Sequence, residues 1–354
     1  MANIRPALYI GIGGTGITAI AKTKKMFEEA YGKTGLHRLP VRFICIDYDL
    51  ASEKDTKNAT DISEDFVQIT NLASPRRLYR EQRKNGRFNW FYPQNARFMD
   101  DRISDGAAQV RGYGRFLTEM IIDEIKTKID NAIDQITKLS QDLQEQNTNI
   151  SKVDCHVVMS IAGGTGCGSF LNVAWALRKK QEVNIIGYGV LHSVFRAIDP
   201  TRNQTPRVVS NAYSAVLDLD YLMNATEANP IRLSLNLLER DLTQPIYDQF
   251  YVIDNKTTDN RTVTDCGSLC DVIATCLFSA GGSPGEKVNA IMNNVGWNKG
   301  GDYSIMHKNG WTQGLGACQI IYDGESLADI YADKAAIEII KQLRNSDTDV
   351  AQTA

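Results

Sequence analysis

Hydrophobic residues fall along the chain in short continuous runs separated by helical repeats. Ala7–Ile12, Val41–Asp47, Cys155–Ile161, Asn184–Leu191 and Phe250–Ile253 are apolar runs of strand length, and Phe66–Ile69 is a shorter candidate. Between them Ile17–Glu29, Phe170–Lys179 and the stretch from Val208 to Leu222 repeat apolar residues every three or four positions, as one buried helix face requires. Phe116, Met120, Ile121, Ile125, Ile129, Ile133 and Ile136 predict one long helix over about 115–140. Strands apolar on both sides, alternating with helices, predict an α/β fold: a parallel sheet with helices on both faces. Beyond residue 254 the pattern predicts a long central helix at Thr262–Ala280, a break at Gly281–Gly285, a strand at Gly314–Tyr322 and a last helix at Ala332–Leu343. The expected division is a sheet domain over 1–260, the central helix at 261–282, and a small or truncated α+β C-terminal unit at 283–354.

Charge narrows the functional classes. Thirty-nine Lys and Arg against 42 Asp and Glu leave −3, too balanced for a general binder of polyanions. No apolar run approaches the ~20 residues of a membrane span. Met1–Pro6 leads straight into a strand-like run, without the features of a secretory signal. Seven scattered cysteines read as reduced thiols, and the expected location is cytoplasmic.

The 27 glycines are an ordinary share of the chain, but two groups of them are placed alike. Gly11-Ile12-Gly13-Gly14-Thr15-Gly16 stands between a strand and a helix, and so does Ala162-Gly163-Gly164-Thr165-Gly166-Cys167-Gly168-Ser169. Such turns bring backbone close to a phosphate and aim helix N-terminal N–H groups at it. The first loop alone fits an NAD(P)-dependent oxidoreductase with Asp47 on a ribose hydroxyl, although Asp47 lies 31 residues past Gly16, beyond the usual spacing. That reading needs one loop and leaves Ala162–Ser169 unexplained.

The second loop resembles the GGGTGSG signature of the tubulin and FtsZ superfamily, with Ala162 and Cys167 as departures. Gly11–Ile20 is similar to the first phosphate loop of that family, with Thr18 at an Asn position. Ile46-Asp47-Tyr48-Asp49, Gly106–Gly112, Ser210–Ser214 and Tyr251–Asn255 follow in the family's order. The resemblance covers about residues 7–295 and is nearest to divergent bacterial tubulin-like proteins. It implies a guanine-nucleotide domain at 1–260 that holds GTP or GDP with Mg²⁺. On this reading Gly13, Gly14, Thr15, Gly163, Gly164, Thr165 and Gly166 take the phosphates, with Thr18 beside them. Asp49, with Asp47, supports Mg²⁺ through water; Gln109 and Arg111 face the γ-phosphate; Asn211 and Asp271 stand at the base. Cys266 and Cys270 occupy the positions where the family has an aromatic and an Asn, and they read as packing rather than as a metal pair.

The resemblance also implies head-to-tail assembly of identical subunits into filaments, with hydrolysis completed by acids of the neighbouring subunit. In Pro284–Asn294 the acidic positions hold Ile291 and Asn294, neither of which polarises water as a carboxylate does. Weak or absent GTP hydrolysis is therefore expected, and a non-polymerising nucleotide-binding scaffold is the alternative. Residues 76–102 interleave eight basic and six aromatic residues. A protein partner there is preferred to nucleic acid, which the balanced charge disfavours.

Overall fold

The computed structural model describes residues 4–47, 62–68, 75–86, 88, 90–91, 107, 109–144, 152–180, 182–198, 205–232, 241–257, 260–282, 312–315 and 324–351. Strands β1 (Ala7–Ile12), β2 (Val41–Asp47), β3 (Phe66–Gln68), β4 (Val153–Ser160), β5 (Val183–Val190), β6 (Gln249–Ile253) and β7 (Thr312–Gln313) make one sheet in the order β3-β2-β1-β4-β5-β6-β7. Every neighbouring pair is parallel. The chain steps outward from β1 to β3, then returns to the other side of β1 and steps outward from β4 to β7. The reversal lies between β1 and β4, where an open parallel sheet leaves a crevice at its carboxyl edge.

The two faces of the sheet follow from side-chain alternation. Leu8, Ile10 and Ile12 point into one core, together with Phe116, Ile125, Ile129, Ile136, Phe170, Val173 and Leu177. Ala7 and Tyr9 point into the other, with Ile17, Ile20, Phe27, Leu269, Ile273 and Leu277. Helices α1 (Gly13–Tyr31) and α9 (Cys266–Gly281) therefore cover one face, and α4 (Arg111–Met120), α5 (Ile122–Gln144) and α6 (Thr165–Arg178) the other. The remaining helices of this unit are α2 (Lys33–Leu36), α3 (Pro75–Lys84), α7 (Ser193–Ile198) and α8 (Thr205–Met223). The contacts divide the chain into Met1–Gly316 and Ala317–Ala354, and the second unit contains α10 (Gly324–Ala351).

Four expectations change. The helix predicted over 115–140 is two helices, α4 and α5, broken at Ile121 with φ −115° and ψ 16°. Its apolar period survives because one non-helical residue leaves both halves facing the same core. The central helix starts at Cys266 rather than Thr262, since extended Asp265 caps it by accepting the Ser268 N–H. The last helix is 28 residues long and exceeds the predicted span at both ends. The segment at 76–102 begins inside α3, which has Pro75 at its first helical position. Its Tyr79, Phe88 and Phe91 are buried against Phe116, so three of the six aromatics are core side chains rather than an open stacking surface. Among the described residues no helix is long and apolar enough to cross a membrane.

Candidate functional site

The candidate site forms where β1 and β4 end side by side. Ile12 is in register with Met159, so the two glycine loops leave the sheet together and open α1 and α6 next to one another. Glycine is what lets them touch. Gly13 has φ +72°, and a Cβ there would sit 3.3 Å from the Gly166 nitrogen. A Cβ on Gly16 would overlap the carbonyl oxygen of Val158 in β4, and one on Gly166 would lie 2.5 Å from the Ser160 oxygen. Gly163 differs: a Cβ there meets nothing within 4 Å. Neither Ile12 nor Gly164, the residues preceding α1 and α6, gives a side-chain cap to its helix. Two uncapped helix N-termini therefore meet at one crevice, each with N–H groups lacking an intrahelical acceptor and the positive end of a helix dipole. The chemistry this suits is binding of an anion with several oxygens.

Side chains from four segments and the backbone of a fifth hold the two loops in place. Asp47, buried at the end of β2, accepts a hydrogen bond from the Thr165 hydroxyl at 3.2 Å. The Asn211 amide of α8 donates to the carbonyls of Gln109 at 2.9 Å and Ala162 at 3.0 Å. Gln109 has φ +58°, and a Cβ on Gly164 would come within 3.0 Å of its Cα, so the 107–111 segment rests directly on the second loop. The Ser160 hydroxyl accepts the N–H groups of Ala162 at 3.1 Å and Gly163 at 3.3 Å. On the first loop, the Cys266 thiol approaches the Thr15 hydroxyl at 3.7 Å and the Cys270 thiol the Thr15 carbonyl at 3.5 Å.

The structure thus brings Gly13, Gly14, Thr15, Asp47, Gln109, Arg111, Gly163, Gly164, Thr165, Gly166 and Asn211 to one end of the sheet, and it also shows what several of them do there. The Arg111 guanidinium donates to the Cys167 carbonyl at 3.2 Å and pairs with Asp218 of α8 at 2.6 Å, so it ties helices together. Thr18 turns its hydroxyl back to the Gly14 carbonyl at 2.8 Å within α1. Asp271 pairs with Lys22 at 2.5 Å across α1 and α9. Asp49 and the whole of Pro284–Asn294, with Ile291 and Asn294, lie outside the described residues.

Sequence reasoning missed Ser160 and the contacts of Cys266 and Cys270 with Thr15. A Ser ending a strand two residues before a glycine turn is the signal that would have found the first. Titration differs sharply among the thiols. Burial pushes Cys167 up to about 12 and Cys276 up to about 11. Cys266 is instead lowered to about 7, chiefly by the hydrogen bond from Cys270, with the Thr15 hydroxyl adding to it. Beneath the loops, His156 of β4 is lowered to about 4 by burial; it stacks on Tyr9 of β1 at 5.1 Å and bonds the Tyr188 hydroxyl at 3.0 Å.

A family model described as tubulin like matches residues 8–341. The chain belongs to the tubulin-like family. Solved structures similar to this tubulin-like chain include the GDP-bound monomer of CetZ1 from Haloferax volcanii, at 15% identity and TM-score 0.44, covering 82% of this chain and 64% of that one. The GTPγS-bound protofilament of CetZ2 from the same organism has 14% identity and TM-score 0.41, over 78% of this chain and 58% of that one. The empty FtsZ dimer of M. jannaschii has 15% identity and TM-score 0.44, over 83% and 62%. This chain therefore spans less than two thirds of the length of each. No curated protein matches it.

Proposed function

We propose that this tubulin-like chain binds GTP or GDP with the phosphates on its two glycine loops, and that copies of it stack head to tail with weak or absent hydrolysis. The observation that carries the reading is the meeting of two uncapped helix N-termini at the switch point between β1 and β4. A single phosphate loop would satisfy a dinucleotide fold; here Thr165 of the second loop bonds Asp47, the residue that fold would spend on a ribose. Gly13, Gly14 and Thr15 from α1, with Gly164 before α6 and Thr165 and Gly166 in its first turn, supply the phosphate N–H groups. The Gly163 N–H already serves Ser160, so Gly163 contributes open space instead. Asp49, two residues after Asp47 in the sequence, would support Mg²⁺ through water, since magnesium keeps much of its hydration. Gln109, on the segment that rests on Gly164, lies toward the γ-phosphate end, while Arg111, Asn211 and Asp271 act by holding the walls in place.

Bound Mg²⁺ neutralises phosphate charge; the chain's own residues position the phosphates and exclude water from the loops. Hydrolysis would need an acid from the next subunit, and Ile291 and Asn294 offer none. The basic residues within 76–102 suit a protein partner, and a cytoplasmic location suits a nucleotide-dependent polymer.

Identification of the nucleotide that co-purifies with the protein tests binding: a guanine nucleotide is expected, and NAD(P) would replace this reading by an oxidoreductase. Light scattering with GTP should rise; a flat trace with bound nucleotide would identify a non-polymerising scaffold. Phosphate release should be slow with or without assembly. Rapid turnover abolished by Asn294→Ala would overturn the hydrolysis claim.

A further inference from the structure

We propose that Cys266 and Cys270 form a peroxide-reactive thiol pair mounted on the first glycine loop, so that oxidation of the pair and occupancy of the phosphate site oppose each other. The second half of this statement rests on the nucleotide reading above. The geometry has three parts. Cys266 is the first residue of α9, half-buried, at the N-terminus of that helix, where the positive end of the helix dipole favours a thiolate. Cys270 lies one turn on, fully buried, on the same side of the helix. Both sulfurs end on Thr15, one at its hydroxyl and one at its carbonyl, within the loop that opens α1.

The environment assigns different tasks to the two thiols. Cys266 is lowered to about 7: the Cys270 hydrogen bond acts first, burial opposes it, and the Thr15 hydroxyl and the Lys22 ammonium help while Asp265 resists. Lys22 reaches this turn from α1, bonded to the Gly267 carbonyl at 3.0 Å and to Asp271. Cys270 is pushed up, by the same hydrogen bond and by burial, and keeps its proton. Burial also raises Cys45, Cys155, Cys167 and Cys276, so Cys266 is the one lowered thiol among the described residues.

With hydrogen peroxide as oxidant, the Cys266 thiolate attacks one peroxide oxygen and releases hydroxide, leaving a sulfenic acid. The Cys270 sulfur then attacks Cys266 Sγ, the S–OH bond breaks, and the hydroxyl leaves as water with the Cys270 proton. Two thiols are oxidised by two electrons and the peroxide is reduced to two waters. Helical neighbours four apart keep their Cβ atoms ~5–6 Å from one another, whereas a disulfide needs about 3.8 Å. Closing the bond therefore tightens the first turn of α9 and takes both sulfurs from Thr15. Both sulfurs lie on the loop that would hold the phosphates, so a bound nucleotide should slow attack at Cys266 and the disulfide should weaken nucleotide binding.

Alkylation of the reduced protein by iodoacetamide, followed residue by residue by mass spectrometry, tests the thiol. Cys266 should react about tenfold faster than Cys45, Cys155, Cys167, Cys270 or Cys276 near pH 7, with a rate that levels off above that pH. Peroxide should remove two hydrogens from the tryptic peptide carrying both residues, and dithiothreitol should restore them. In Cys270→Ala the same treatment should add one oxygen, trapped by dimedone at Cys266. Uniform alkylation, or loss of two hydrogens persisting in Cys270→Ala, would overturn the pair. GDP should slow alkylation of Cys266, and the oxidised protein should bind GDP about tenfold more weakly. Equal rates with and without GDP, in a sample shown by calorimetry to bind GDP, would overturn the opposition. Absence of GDP binding in the reduced protein would overturn the nucleotide reading while leaving the reactive pair to stand or fall on the alkylation alone.

Discussion

The two glycine loops share a motif and a position, but their surroundings differ. The first is pressed between strands and helices: Gly11 faces the Gly16 carbonyl at 2.6 Å from its would-be Cβ, Gly16 faces Val158, and two thiols of α9 close over Thr15. The second is held from above by polar groups: Ser160 gathers two of its N–H groups, Asn211 gathers its carbonyls, and Asp47 takes Thr165. In its middle Gly163 faces open space. Glycine therefore serves two purposes in one string of letters. Most of these positions need it for packing, and Gly163 has no packing reason for it.

The largest separation should come from Gly16→Ala. The added methyl meets the backbone carbonyl of a central strand, which cannot swing aside as a side chain would. A loss of about 3 kcal/mol is expected in urea unfolding, and a loss under 1 would mean that β4 and the first loop are not packed this closely.

Both loops leave neighbouring strands of one sheet, and His156 of β4 is buried in that sheet against Tyr9 of β1. Burial keeps its folded pKa near about 4, below the ordinary 6.5. The unfolded chain therefore takes up the proton first as pH falls. Stability from the neutral ring is complete above 6.5 and is lost progressively toward about 4. Between about pH 7 and pH 5 the protein should lose about 2 kcal/mol that His156→Gln does not lose. A pH slope identical in the two proteins would mean that the ring beneath both loops does not stay neutral.

Asn211→Ala should act on the second loop only. It leaves the carbonyls of Gln109 and Ala162 without their shared donor, at a cost of about 1–2 kcal/mol. The 107–111 segment should then exchange its amide hydrogens faster while Gly11–Gly16 keeps its protection. Equal change in both loops would erase the distinction between a packed loop and a tethered one.

Much of this arrangement was legible in the residues themselves. Strands buried on both faces announce themselves as unbroken apolar runs, and β1, β2, β4, β5 and β6 all fall where those runs lie. The two loops were legible because glycine leaves a visible mark where chain meets chain. What was not legible depends on a single residue or on partners far away in the chain. Ile121 breaks a helix without disturbing its apolar period, and α3 hides the core side chain of Tyr79 among charges. Arg111 stands where a γ-phosphate contact is expected, but its partner Asp218 lies 107 residues away in the chain. Asn211 was read for its side-chain chemistry, whereas its amide spans carbonyls at 109 and 162, a contact that only the folded topology creates.

The smallest expected change in stability, and the one that bears most on function, is Gly163→Ala. Nothing lies within 4 Å of the added carbon, and the backbone there is not in the left-handed region, so alanine fits without strain. Unfolding free energy should move by no more than ~0.5 kcal/mol, with a slight gain from reduced freedom of the unfolded chain. On the proposed reading, the methyl would nevertheless take up the open space beside the phosphate oxygens. GDP binding should therefore weaken by about tenfold or more, measured by calorimetry on protein whose stability is unchanged. Gly16→Ala would lower affinity too, but through unfolding, and excess ligand would restore its stability by mass action. A Gly163→Ala protein that binds GDP like the parent would move the ligand away from the open glycine and leave the second loop, like the first, a matter of packing.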